Sequence, residues 1–456
     1  MKFLLVNPPI YDFAAYDVWL KPLGLLYLAS ILKRSGHTVW FFDYLAREHQ
    51  ENMSAWKIKS DGTGPFLSSE IPRPCGVEEF RDIPLKYRRY GAPRKMAEDF
   101  FSRHSDADCV VVTLTMVYWY PALDEVVSSL AGTLQPSARK FLGGNYPSLL
   151  PEHAAARYGG FFEKIFALDG FEGFSEYLGL KEKGRIEDFK SWVAPDYSFY
   201  QELPYIVIRK SYGCNFSCGY CASKNMCAGF YSKSADKIIS ELDEISGYCS
   251  FKNVAFYDDL LLTSDEKSNI EFLKKLALWR RSVSKIRGDV KFFTPNGLNP
   301  SYITPAVALL LKEAGFEDLR LSVESVSEIT QKRYGAKSSF RDFKCAMKNL
   351  FAAGYATKKV SAYVMAGLPG ETIKDVRLSS EKTAGEGARV RLCEFSPVPR
   401  TRVFDEMGLD GKTIEPLLLN NTTFIATGVK GICPPWCRSW QELLELKDYI
   451  RRDLNF

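Results

Sequence analysis

Histidine is scarce in this chain of 456 residues: there are four, at positions 37, 49, 104 and 153. Any metal centre downstream of His153 must therefore draw on sulfur or oxygen ligands. Long apolar runs are also missing. The longest candidate, Leu23 to Leu32, is interrupted by Gly24, Tyr27 and Ser30 and followed by Lys33 and Arg34, well short of the 18 or so residues of a membrane span. No large charge excess exists either, since 60 basic residues against 55 acidic ones leave only +5, too little to announce a nucleic-acid partner. A secretory leader is not legible: the apolar stretch Phe3 to Val6 stops at Asn7-Pro8-Pro9, so a cytoplasmic location is expected. The 11 cysteines do not make an even disulfide set. In an unexported chain, clustered cysteines point to metal or redox chemistry.

What is present is ordinary for a globular protein, with 46% hydrophobic and 25% charged residues, and the length allows about three units. The first stretch reads as parallel α/β. Lys2 to Val6 is a short apolar strand, Pro22 to Ser35 has helical spacing closed by Gly36, and Thr38 to Phe42 is a second strand. Cys109 to Thr115, Lys140 to Leu142 and Lys164 to Leu168 supply three more strands, with the helical segment Ala122 to Leu130 among them. A doubly wound, Rossmann-like domain over 1–173 is expected, carrying a polar insertion of no clear period at about 48–93. A connector at 174–203 follows. Strands are then predicted at Tyr205–Arg209, Asn253–Tyr257, Val290–Thr294, Asp318–Val323, Lys359–Met365 and Val390–Phe395. Helices lie between them: Thr304 caps one with Pro305 at its first position and Gly315 at its end, and Gly354 closes another begun near Arg341. Six consecutive βα units predict a partial barrel of the TIM type over 204–401, with chemistry at the C-terminal strand ends. A small cap is expected at 402–456.

Directly after the first of these strands comes Cys214-x-x-x-Cys218-x-x-Cys221. Three thiolates on a cubane iron–sulfur cluster leave the fourth iron without a protein ligand, and an open iron can bind substrate. The alternative is a structural zinc site, which prefers four N/S ligands.

Cys214, Cys218 and Cys221, with Tyr220 just before the third, resemble the signature of the radical S-adenosylmethionine (radical SAM) superfamily. The resemblance implies a 4Fe-4S cluster whose open iron chelates the amino and carboxylate groups of S-adenosylmethionine. One electron then breaks a sulfonium C–S bond to give a 5'-deoxyadenosyl radical and methionine. It also implies that Asp258 or Asp259, ending the second barrel strand, accepts from the methionyl amine. Asn296, Glu324 and Ser325 take the positions that bind ribose hydroxyls and the methionyl carboxylate, and Gly367 and Leu368 of Gly367-Leu-Pro-Gly-Glu-Thr372 take the adenine side. Adjacent carboxylates at a strand end also suit a solvated turn.

In the N-terminal region, Val6-Asn7-Pro8-Pro9, Pro22-Leu-Gly-Leu-Leu-Tyr-Leu28, Leu142-Gly143-Gly144-Asn145-Tyr146-Pro147 and Leu150-Pro-Glu-His153 resemble the cobalamin-binding domain fused ahead of many radical SAM enzymes. Asn7, Pro8, Thr113, Thr115, Gly143, Gly144, Asn145 and Tyr146 are the corresponding candidate cobalamin residues. The Asp-x-His-x-x-Gly motif that supplies a lower axial histidine elsewhere is absent, so any cobalt would lack that ligand.

Several features are read as structural. The basic run Lys86-Tyr-Arg-Arg-Tyr90 with Arg94 and Lys95 reads as a solvated face, Met116 to Tyr120 as buried packing, His153 as a helix-start residue, and Cys433 and Cys437 as structural or substrate-facing thiols. The expectation is a cobalamin-dependent radical SAM methyltransferase acting on an unactivated carbon of a small or lipid-like molecule. A one-electron donor such as flavodoxin or ferredoxin would feed it. The alternatives are a radical oxidoreductase, cyclase or ring-rearranging enzyme of the same architecture, and a zinc-stabilised binding module.

Overall fold

The computed structural model describes residues 1–49, 58–168, 170–180, 185–201, 203–227, 229–335 and 337–455. The chain divides into two compact units. One comprises Met1–Ile206 with Glu241–Ser250 and Asp410–Asn420; the other comprises Val207–Ser240, Phe251–Leu409 and Asn421–Phe456.

The first unit is built on a five-stranded parallel sheet. Its strands are β1 (Lys2–Asn7), β2 (Thr38–Asp43), β3 (Cys109–Thr113), β4 (Arg139–Gly143) and β5 (Lys164–Ile165), ordered β5-β4-β3-β1-β2. Phe3 to Val6 of β1, an interior strand, are wholly buried, which explains their uninterrupted apolar run. The order reverses between β1 and β3. That reversal opens a crevice at the C-terminal edge of the sheet, the switch point where open α/β sheets take ligands. The helix Leu23–Arg34 connects β1 to β2, and Pro121–Ala131 connects β3 to β4.

The 48–93 region, given no fold from its sequence, supplies short antiparallel strands among its described residues. Ser68–Glu70 and Arg88–Tyr90 pair, and Arg88–Tyr90 also pairs with Ile10–Asp12. Lys86, Arg94 and Lys95 of the basic run are exposed, as the solvated reading expects, and the correction falls on Arg89. Arg89 is a half-buried bidentate partner of the buried Glu125, with Nε–Oε2 and Nη2–Oε1 both at 2.7 Å. Residues 174–203, expected as a connector, lie within this unit, where Ala194 O accepts from the Ser30 hydroxyl and Asp196 N donates to Leu26 O.

From the boundary at Ile206 onward, six strands follow in chain order: β6 (Ile206–Ile208), β7 (Asn253–Phe256), β8 (Lys291–Phe293), β9 (Leu319–Glu324), β10 (Val360–Ala366) and β11 (Arg389–Glu394). They form two three-stranded sheets, β6-β7-β8 and β9-β10-β11, joined by isolated parallel bridges Phe292↔Phe316 and Leu298↔Leu321. The helix punctuation is as expected. The Thr304 hydroxyl accepts from Val307 N, Pro305 opens the helix Pro305–Ala314, and Gly315 ends it in the left-handed region at φ +89°. Gly354, at φ +91°, follows the helix Phe340–Ala352, which also carries a Ser339–Asp342 capping box not expected from the sequence.

The tail is divided between the units. Asn420 donates to the buried Asp12 carboxylate at 2.8 Å in the first. In the second, Leu446 and Ile450 pack on Val364, Ala366, Val376 and Val390. Asn455 closes the free edge of β11 by bonding both Val390 N and Val390 O, at 2.8 and 2.9 Å, which blunts an edge open to strand pairing.

Candidate active site

The cysteine loop is an excursion with a pinned neck. Ser211–Tyr212 pairs antiparallel with Tyr231–Ser232. Gly213 sits at φ +81°, where a Cβ would stand 2.1 Å from the Gly229 carbonyl oxygen, so no side chain fits. Further along, Gly219 N donates to Tyr334 O at 2.9 Å, Val403 N donates to Gly219 O at 3.0 Å, and the Cys218 thiol donates to Gly335 O at 3.5 Å. Gly335, at φ +85°, lets the end of the helix Glu328–Tyr334 approach Ser217 O closely.

The three thiols share one electrostatic neighbourhood, in which Cys218 responds to Cys214 and Cys221 and Lys337 responds to all three. Burial pushes the Cys218 thiol up to about 11, against the pull of Lys337. Among the described residues no three Cys, His, Asp or Glu groups close on a single ion. A cubane binds one cysteine per iron, so its ligands surround a cluster rather than meet at a point. The donor set of three thiols with a nearby cation fits that group.

The residues expected around S-adenosylmethionine are placed unequally. Tyr220, Glu324, Ser325 and Leu368 line one cleft of about 360 Å³, counting its open mouth, together with Thr330, Gln331, Gly335 and Lys337. Glu324 ends β9 at φ +62°, beside a register shift, a costly conformation for a non-glycine residue that clusters at functional sites. The Ser325 hydroxyl donates to Glu371 Oε1 at 2.5 Å. Gly367, at φ +100°, would drive a Cβ to 2.4 Å from Ile425 Cγ2.

The two aspartates separate. Asp258 is buried, and its carboxylate accepts from Ser211 N, the Ser211 hydroxyl and Lys210 N. Half-buried Asp259 accepts from the Ser223 hydroxyl at 3.2 Å. Asn296 is exposed and donates to Asp258 O at 3.2 Å, tying the end of β8 to that of β7. Lys337 is a site residue that the sequence does not reveal. It stands in no motif, and only folding brings its ammonium 3.7 Å from Glu324 Oε1. The tail thiols bond within the tail: Cys437 is buried and donates to Ile425 O at 3.3 Å, and Cys433 pairs with Val429 in an antiparallel bridge.

In the first unit, Asn7, Pro8, Thr113 and Thr115 line a cleft of about 330 Å³, again counting its open mouth, at the switch point, with Lys21 and Trp119 beside them. The Trp119 indole donates to Asp12 at 2.7 Å. The remaining candidates lie differently. Gly144 (φ +96°) is required because a Cβ would stand 2.6 Å from Leu114 O, Gly143 ends β4, and Asn145 is exposed. Tyr146 is fully buried, its hydroxyl 2.7 Å from His153 Nδ1. None of the four histidines lines this cleft. Of Met116 to Tyr120, expected as buried packing, Val117, Tyr118 and Tyr120 are buried, whereas Met116 and Trp119 are half-buried and Trp119 faces the cleft.

Residues 208–381 match the radical SAM superfamily. The chain carries a radical SAM domain and is an enzyme. Across 446 residues the chain is 23% identical to an uncharacterized methyltransferase of Pyrococcus horikoshii, covering 89% of this chain and 83% of the relative. Its fold is similar to that of the radical SAM methyltransferase TsrM from Kitasatospora setae, solved with tryptophan substrate and a SAM analogue bound. There the TM-score is 0.64 at 14% identity, over 98% of this chain and 90% of the other. It is also similar to OxsB, a cobalamin-dependent S-adenosylmethionine radical enzyme solved with aqua-cobalamin and S-adenosylmethionine, at a TM-score of 0.53 and 13% identity over 93% of this chain and 55% of that one. Among the described residues no helix is long and apolar enough to cross a membrane.

Proposed function

We propose that this enzyme is a cobalamin-dependent methyltransferase that acts on an unactivated carbon of a small molecule. Cys214, Cys218 and Cys221 would hold a 4Fe-4S cluster that supplies the electron for reductive cleavage of S-adenosylmethionine. The chain's own residues bind and orient. Asp259 accepts from the methionyl ammonium, Glu324 and the Ser325 segment face ribose and carboxylate oxygens, and Leu368 offers an apolar face to adenine. Asn7, Pro8, Thr113 and Thr115 form the wall for a corrinoid at the switch point. The six strands of the second unit are read as an open (β/α) barrel and the first unit as a cobalamin-type domain.

The observation that carries this reading is the coexistence of two clefts, each lined by residues expected for its own cofactor and each within one unit: Tyr220, Glu324, Ser325 and Leu368 in one, Asn7, Pro8, Thr113 and Thr115 in the other. Anaerobic reconstitution with iron, sulfide and hydroxocobalamin tests it. About four irons and one corrinoid per chain, with formation of 5'-deoxyadenosine and transfer of label from methyl-labelled S-adenosylmethionine to a carbon acceptor, are the expected results. Cleavage and bound corrinoid without label transfer would favour the oxidoreductase, cyclase or ring-rearranging alternative. Cleavage without corrinoid would remove the cobalamin assignment. One tightly held zinc and no cleavage would replace the whole reading by a metal-stabilised module.

A further inference from the structure

Lys337 lies beside the cysteine loop without being part of any recognised motif. Its backbone carbonyl accepts from Asn299 Nδ2 at 3.1 Å, and its ammonium stands 3.7 Å from Glu324 Oε1 in the cleft that Tyr220 also lines. Both side chains are largely withdrawn from solvent, at 23% and 22% exposure, so their charges are only partly screened. Burial works against the Lys337 charge, but Glu324 and then Cys218, Cys221 and Cys214 outweigh it and hold the ammonium above the usual lysine range. Gly335, two residues before Lys337 and lining the same cleft, accepts from the Cys218 thiol at 3.5 Å, so the chain sets a cation near the cluster-type cysteines and an anion against that cation.

A cluster gains a negative charge when reduced, and its potential depends on the net charge, hydrogen bonds and solvent around it. A nearby cation stabilises the reduced form, and a nearby anion destabilises it, with energies that grow as the local dielectric falls. We propose that Lys337 and Glu324 form a charge pair that sets the reduction potential of the cluster carried by Cys214, Cys218 and Cys221. Lys337 eases entry of the electron and Glu324 tempers that effect before S-adenosylmethionine binds. Both act as positioning charges on the one-electron step from an external low-potential donor to the oxidised cluster. No bond to either residue forms or breaks. The inference rests on the cluster assignment above and goes beyond it by naming what controls the electron.

The test is a redox titration of the anaerobically reconstituted full chain without S-adenosylmethionine, followed by electron paramagnetic resonance, with iron and sulfide measured on each sample. At the potential where the wild type is half reduced, Lys337→Met is expected to hold about a tenfold higher ratio of oxidised to reduced cluster, equivalent to about 59 mV for a one-electron couple. Lys337→Arg should stay within about twofold, and Glu324→Gln should shift in the opposite direction to Lys337→Met. A general loosening of the loop would not produce opposite signs. A Lys337→Met titration that overlays the wild type, or a shift of the same sign in both variants, overturns the proposal. If Lys337→Met fails to take up a cluster, Lys337→Gln and Glu324→Gln carry the comparison, and an unshifted Glu324→Gln overturns it. A wild-type chain that takes up no cluster removes the function reading and this inference together; a cluster that cleaves S-adenosylmethionine but is indifferent to both charges removes this inference alone.

Discussion

The Ser223 hydroxyl donates to Asp259 Oδ1 at 3.2 Å and itself accepts from the Cys221 thiol at 3.3 Å. Asp259 is thus tied to the cysteine loop, whereas its neighbour Asp258 is turned back onto Ser211 and Lys210. The two carboxylates should fail differently. Asp259→Asn should weaken S-adenosylmethionine binding to the reconstituted enzyme by roughly 10- to 100-fold, the worth of about 1.5–3 kcal/mol for a hydrogen bond to a charged group, with little change in melting temperature. Asp258→Asn should instead lower the melting temperature, because it leaves buried donors poorly matched at about 1–3 kcal/mol. Calorimetric titration and thermal denaturation on the same two variants check the division. Equal affinity losses without a stability difference would refute it.

Gly213 and Gly335 are expected to control cluster uptake. A methyl at Gly213 would have to displace the Gly229 carbonyl, and one at Gly335 would press on Ser217 O at 3.1 Å. Gly213→Ala should therefore reduce iron and sulfide per chain by more than half after reconstitution, with Gly335→Ala less severe. Gly36→Ala is the control. It shares the positive φ, at +80°, but nothing lies within 4 Å of the point a Cβ would occupy there, so it should cost about 1–2 kcal/mol of backbone strain and leave iron content unchanged.

The corrinoid assignment predicts a specific loss when the switch-point cleft is filled. Thr115 is exposed and lines that cleft, so Thr115→Trp adds bulk there without disturbing the sheet. Visible absorbance of corrinoid retained after desalting should fall at least tenfold, while iron content and reductive cleavage of S-adenosylmethionine persist. Retention equal to wild type would place the corrinoid elsewhere or nowhere.

Legibility from sequence follows the range of the interaction. The strands of both units and the Thr304–Pro305–Gly315 punctuation are local patterns, and the structure has them within a residue or two, except that the strand expected over Lys164 to Leu168 stops at Ile165. Arg89 reads as solvated in the sequence because its partner Glu125 lies 36 residues away, and nothing local distinguishes a paired, half-buried arginine from a solvated one. The order in 48–93 is of the same kind: Arg73 donates to the carbonyls of Phe80, Arg81, Ile83 and Leu85 at 2.5–3.0 Å, an arrangement without any period. At the site, Cys214, Cys218 and Cys221 are readable because their spacing is itself the signal. The choice between Asp258 and Asp259 is not, since it depends on which carboxylate Ser211 captures. Lys337 becomes visible only through its approach to Glu324.

Asp318 gives the second unit a predictable acid sensitivity. Burial raises its carboxyl, but Arg391 and Arg320 outweigh burial and hold it below the ordinary carboxylate value, with Arg391 at 2.8 Å and Arg320 at 3.0 Å. A depressed acid binds fewer protons in the folded state than in the unfolded one, so its contribution is complete above the unfolded carboxylate value near 3.8 and disappears as pH falls through the folded value. Denaturant unfolding of the wild type should therefore lose stability on acidification below about pH 4, beyond the general loss from other carboxylates. Asp318→Asn should be about 3 kcal/mol less stable at neutral pH, since it leaves two guanidiniums without their anion, and should show a correspondingly flatter pH dependence. The backbone is not the cause, because φ at Asp318 is +42° and asparagine tolerates the left-handed region as well as aspartate does. A variant that tracks the wild type in parallel at every pH would show that the ion pair contributes nothing through its charge.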